Sequence, residues 1–119
     1  MAKQAYKKGL PEGYDVVIIH YRGLDGLKLY TPQLYCSYAV DDVFQPMKYV
    51  YDKHCKEEKR QAFAVGTSMG ANILGNLLGD HADECFLTAA CVLQAPIKKW
   101  ECKDHIRQSM GGAYDKNLG

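Results

Sequence analysis

The sequence predicts an α/β fold built on a parallel sheet, and three observations carry that reading. Short apolar runs stand at 14–21 (YDVVIIHY), the first of them rich in β-branched residues, at 61–65 (QAFAV) and at 87–93 (LTAACVL). None alternates cleanly between apolar and polar residues, which suits strands covered on both faces, as parallel sheets require. Segments of helical spacing separate the second and third runs from what precedes them. The order strand, helix, strand, helix, strand then calls for crossover helices between parallel neighbours.

Each element follows from its own residues. Gln4 to Gly9 reads as the last turn of a helix, with cations before a glycine stop, so a helix is expected to begin upstream of residue 1. Leu10-Pro11-Glu12-Gly13 makes a turn, and the first strand is expected over 14–21. Residues 22–37 mix glycine, proline and tyrosine without periodicity, and a loop of that length in a compact domain is often functional. Val40, Val43, Phe44, Met47, Val50 and Tyr51 then recur at helical spacing, with Asp41 and Asp42 where a helix N-terminus favours acids. Pro46 predicts a kink or a start later than Asp42. The charged run 56–60 is a solvated link.

The second strand runs directly into Gly66. A helix is expected over 69–78 with Gly79 as its cap, and the third strand ends at Gln94-Ala95-Pro96. From Ile97 the tail is polar, and its glycine-rich end, Gly111-Gly112 and Gly119, gives no stopping element. The 119 residues make one domain at most, or part of one.

A net charge of +1 gives no basis for a nucleic-acid or anionic-membrane partner. No apolar run approaches the roughly 18 residues of a membrane span, and the N-terminus has no signal-peptide core. The five cysteines, Cys36, Cys55, Cys85, Cys91 and Cys102, are odd in number and contain no CxxC pair. That argues against a disulfide framework or a zinc site and for a reducing compartment, so the cytoplasm or the cytoplasmic face of a membrane is expected. No metal or cofactor is expected.

One motif carries chemistry. Gly66-Thr67-Ser68-Met69-Gly70 is a GxSxG sequence between a predicted strand and a predicted helix, the context in which this motif forms a nucleophile elbow. The chain must reverse sharply at the serine, which calls for small residues two positions before and after it, hence Gly66 and Gly70. Ser68 Oγ would stand at a helix N-terminus as nucleophile. The backbone N–H of Met69 would supply half of an oxyanion hole. The bland alternative is a glycine-rich turn with Ser68 as a helix cap.

A serine needs a general base, and the base needs an orienting acid. None of the four histidines is assignable to that role. His81 falls at the end of the helix after the elbow, and His105 follows the third strand too closely, with Asp104 beside it. Asp104 and Asp115 read as exposed tail charges. His20 lies near the end of the first strand, where a hydrogen-bonded structural histidine is the simpler reading. His54 sits at a helix end, a favourable position for a cation.

The elbow and its surroundings resemble the α/β-hydrolase family, in the branch of the alpha/beta-hydrolase-domain-containing proteins one and three with their bacterial and plant relatives. The resemblance rests on Tyr21-Arg22-Gly23, Gly26, Thr31-Pro32-Gln33-Leu34-Tyr35-Cys36, Asp41-Asp42, Ser68-Met69-Gly70-Ala71-Asn72, Asn76-Leu77-Leu78-Gly79 and Trp100-Glu101-Cys102. It spans about residues 4 to 105, and the Thr-Pro-x-Leu-Tyr-Cys loop is its most specific part.

That resemblance implies a central fragment, residues 1–119, of a single α/β-hydrolase domain: three parallel strands from the middle of an eight-stranded sheet. It places another strand between 14–21 and 61–65, so either that strand comes from elsewhere or the two runs pair directly. It implies a serine esterase or lipase acting on lipid or acyl esters, phospholipids included. The acid and histidine would lie beyond Gly119. The alternative is a non-catalytic, hydrolase-derived subunit whose sheet a protein partner completes.

Overall fold

A computed structural model describes residues 13–108, apart from the side chains of Lys99 and Ile106. The helix end expected near residues 4–8 lies outside the described residues, as do the tail glycines Gly111, Gly112 and Gly119 and the tail acid Asp115. Helix α1 spans Asp41–His54, strand β1 Phe63–Thr67, helix α2 Met69–Asp80, strand β2 Ala89–Leu93 and helix α3 Lys99–Gln108. A short 3-10 turn, Ala82–Glu84, links α2 to the approach to β2.

The fold is α/β. β1 and β2 pair in parallel, in register from Phe63↔Ala89 to Thr67↔Leu93, with α2 as the crossover. Both strands start two residues later than the apolar runs do. At the near end Thr88 N donates to Ala62 O at 2.7 Å, and at the far end Ser68 N donates to Leu93 O at 3.0 Å.

Residues 14–21 are where the structure departs from the expectation of three strands. They form no ladder with β1 or with any other described residue. A β-branched run becomes a strand only when a neighbouring backbone satisfies its N–H and C=O groups. Among the described residues no backbone pairs with this run, and the direct pairing of 14–21 with β1 does not occur. The segment is nevertheless tied down near both ends. Arg60, just before β1, holds Asp15 at 2.9 Å and Gly13 O at 3.5 Å. At the other end the Tyr21 hydroxyl rests against Gly70 in the first turn of α2.

Helix α1 starts at Asp41, earlier than Pro46 alone would suggest. Pro46 lies in the second turn, where its missing N–H removes a single ladder bond to the Asp42 carbonyl. The start is secured instead by Val43 N and Phe44 N, which donate to Val40 O at 3.0 and 2.8 Å. One further expectation is corrected, and one helix was not foreseen. α2 runs through Gly79, which is not in the left-handed region, and closes at His81, whose N–H donates to Leu77 O at 2.9 Å. The segment after Ile97 forms α3, begun by Glu101 N and Cys102 N donating to Lys98 O at 3.1 Å each.

The core lies between α1 and α2, where Val40, Phe44 and Leu77 are buried and Val43, Met47 and Phe86 pack against them. Phe86 stacks on Tyr51 with ring centroids 4.7 Å apart. α2 also buries Ala71, Ile73 and Leu74. α2 is thus the rigid element from which the serine turn projects.

Candidate functional site: a strand-to-helix turn at Ser68

Ser68 sits between β1 and α2 with φ 52° and ψ −118°. Positive φ is unfavourable for a residue with a Cβ, and such outliers gather at functional turns. The serine is exposed and its side chain makes no capping bond to α2, so the capping alternative does not describe it. Its backbone does two jobs instead: the N–H extends the β1–β2 ladder to Leu93 O, and the carbonyl accepts from Asn72 N at 3.1 Å. Because Asn72 closes that first helical bond, the N–H groups of Met69, Gly70 and Ala71 have no intrahelical partner. They form the positive end of the helix dipole, which suits a developing negative charge.

The two glycines of the motif have different reasons. A Cβ on Gly66 would lie 2.5 Å from Gly70 O and 2.9 Å from Ala71 Cα, a clash with backbone that cannot give way. Gly70 is less constrained: a Cβ there would meet only the Tyr21 hydroxyl, at 3.1 Å. The close approach expected on both sides of Ser68 is therefore backbone against backbone at Gly66 and a side chain at Gly70.

Tyr21 is the neighbour that sequence reasoning did not assign. Burial, then the neighbouring Tyr35, raise its phenol pKa above the ordinary tyrosine value. Its ring stacks on Tyr35 with centroids 5.4 Å apart. Next to it, Arg22 forms a two-pronged ion pair with Asp42 in the first turn of α1, which raises the Arg22 pKa further. Tyr21 and Tyr35 thus meet beside the elbow, while Arg22 and Asp42 line a cavity that reaches Asp80 and His81 at the far end of α2. The motif residues were legible; that they touch was not.

The candidate bases are distributed elsewhere. His81 caps the far end of α2, about 18 Å along the axis from Met69 at 1.5 Å per residue. There it stacks on Phe44 with centroids 3.7 Å apart and pairs with Asp41 at 3.7 Å. The cavity of about 580 Å³ lined by Arg22, Asp41, Asp42, Asp80 and His81 lies at that end, and Ser68 does not line it. His20 pairs with Asp25 at 3.5 Å. His54 ends α1, and His105 and Asp104 are exposed on α3. Among the described residues no serine–histidine–acid set assembles, and no cluster could hold a metal ion.

Known proteins place this turn in context. The chain is 32% identical over 108 residues to embryogenesis-associated protein EMB8 of Picea glauca, covering 89% of this chain and 23% of that protein. It is 32% identical over 83 residues to medium-chain fatty acid ethyl ester synthase/esterase 2 of Saccharomyces cerevisiae, 70% of this chain and 18% of the relative. Phospholipase ABHD3 of Homo sapiens matches at 28% over 98 residues, 82% and 23%. It belongs to the α/β-hydrolase family.

No family model matches the chain, and no solved structure does. The chain spans less than a quarter of the length of these three curated hydrolase relatives. The two-stranded sheet with its flanking helices is a part of the α/β-hydrolase fold. Among the described residues, no helix is long and apolar enough to cross a membrane.

Proposed function

We propose that this chain carries the nucleophile of a serine ester hydrolase acting on lipid or acyl esters, phospholipids among them. The backbone of Ser68 is the observation that carries the reading: an exposed serine, at φ 52° and ψ −118°, uncapped at the head of a buried helix. Ser68 Oγ attacks the acyl carbonyl carbon as its proton passes to a general base. The carbonyl oxygen takes the negative charge against the Met69 N–H, the alcohol leaves with a proton, and an acyl-serine remains for water to hydrolyse. The base and its acid come from outside residues 13–108. The names of the yeast and human relatives support the ester class.

A fluorophosphonate probe tests the nucleophile. Ser68 is expected to be labelled when this chain is present together with the base and acid that complete the site, and Ser68→Ala to abolish the label. A completed wild-type protein that stays unlabelled under native conditions overturns the catalytic reading.

One observation favours a second reading, a non-catalytic subunit completed by a protein partner. Among the described residues, one edge of β1 has no neighbouring strand and residues 14–21 join no ladder, so both offer backbone groups to an added strand. Hydrogen exchange separates the two readings: protection of residues 14–21 that appears only with a partner chain, together with an unlabelled Ser68, favours assembly.

A further inference from the structure

Among the described residues, four other than glycine hold positive φ: Asp25 at 52°, Lys59 at 53°, Ser68 at 52° and Gln94 at 54°. Asp25 and Lys59 close turns. Asp25 precedes Gly26 inside the bond from Leu27 N to Leu24 O, and Lys59 lies inside the bond from Arg60 N to Cys55 O. Tight turns need such a backbone, and the strain there has a local explanation. Ser68 and Gln94 are different, because they stand at the exits of two paired strands.

The register makes them neighbours. β1 and β2 end their pairing at Thr67↔Leu93, so Ser68 and Gln94 occupy the next step, joined by the bond from Ser68 N to Leu93 O. Adjacent strands lie about 4.8 Å apart. A glutamine side chain with three rotatable bonds covers that distance. Glycine would hold this backbone without strain, whereas this position carries an exposed carboxamide. Ala95 and Pro96 follow, and proline holds the residue before it extended, so the reversal is concentrated at Gln94.

We propose that Gln94 is a substrate-contacting residue of the Ser68 site, its carboxamide N–H groups donating to the oxygens of a carboxylic ester. An ester group offers acceptors only, and a carboxamide supplies two donors without adding a charge. This rests on reading Ser68 as the centre of the site. A purely structural role makes the opposite prediction, because glycine would then be as good at this position or better.

The test uses the full chain in a Ser68→Ala background, with ethyl butyrate as the probe followed by ligand-observed NMR. Gln94→Gly is expected to raise Tm by about 4 °C as strain is relieved, and to weaken ethyl butyrate binding about tenfold. Unchanged binding in Gln94→Gly overturns the proposal, as does a Tm that fails to rise. An absence of ethyl butyrate binding in Ser68→Ala itself also overturns it. Fluorophosphonate labelling of the wild-type chain is scored separately. Its failure removes the nucleophile and leaves the binding comparison standing.

Discussion

Helix α2 and the segment at residues 14–21 draw on the same kind of side chain and meet different fates. Ile73 and Leu77 are each 1% exposed, whereas Val16, Val17 and Ile18 keep 43%, 53% and 43% of their surface in water. The helix satisfies its backbone internally and needs neighbours only for its side chains, which α1 and the sheet provide. The upstream run needs a neighbour for its backbone as well, and among the described residues it has none. Apolar character sets where burial is possible; hydrogen-bond partners decide whether a strand exists.

The widest gap between the two regions should appear on truncation. Leu77→Ala removes packing from a full core and is expected to cost about 4 kcal/mol. Val17→Ala should stay within about 0.5 kcal/mol. Urea unfolding of both variants measures the contrast, and equal costs would mean that residues 14–21 are packed after all. Next in size is Gly66→Ala, at about 3 kcal/mol, because its Cβ meets backbone. Gly70→Ala should cost far less, since the Tyr21 hydroxyl can move aside. Combining it with Tyr21→Phe should recover most of that loss.

Gly75→Ala tests the helix from the other direction. A Cβ there meets nothing within 4 Å, so thermal unfolding should register a gain of about 1 kcal/mol. The smallest effect concerns pH. Folding raises the Tyr21 pKa, so its contribution is complete below the ordinary tyrosine value near 10 and is lost as pH climbs through the folded value. Tyr21→Phe should flatten that alkaline decline in a pH series of unfolding midpoints. An unchanged decline would show that Tyr21 is not the group responsible.

Much of this molecule was readable from its residues. The two paired strands, α2, α1 with its acidic first turn and the serine turn all follow from periodicity and from glycines at set positions. The helix at Lys99–Gln108 was not, because its sequence is polar and the exposed Trp100 marks no buried stripe. Nor was the strained backbone at Gln94, since nothing in Gln-Ala-Pro alone signals positive φ.

Sequence by itself determined that a serine would stand between a parallel strand and a helix, because local sterics at Gly66 and the apolar runs on either side leave little else. Only tertiary structure decided what surrounds it. It brought Tyr21 against Gly70, paired Arg22 with Asp42 and set Gln94 one register step from Ser68. It also left residues 14–21 without a ladder among the described residues. Local motifs act through the few bonds of one turn and are written in adjacent residues. Neighbours across a sheet depend on which backbones lie side by side, and that is a property of the assembled fold.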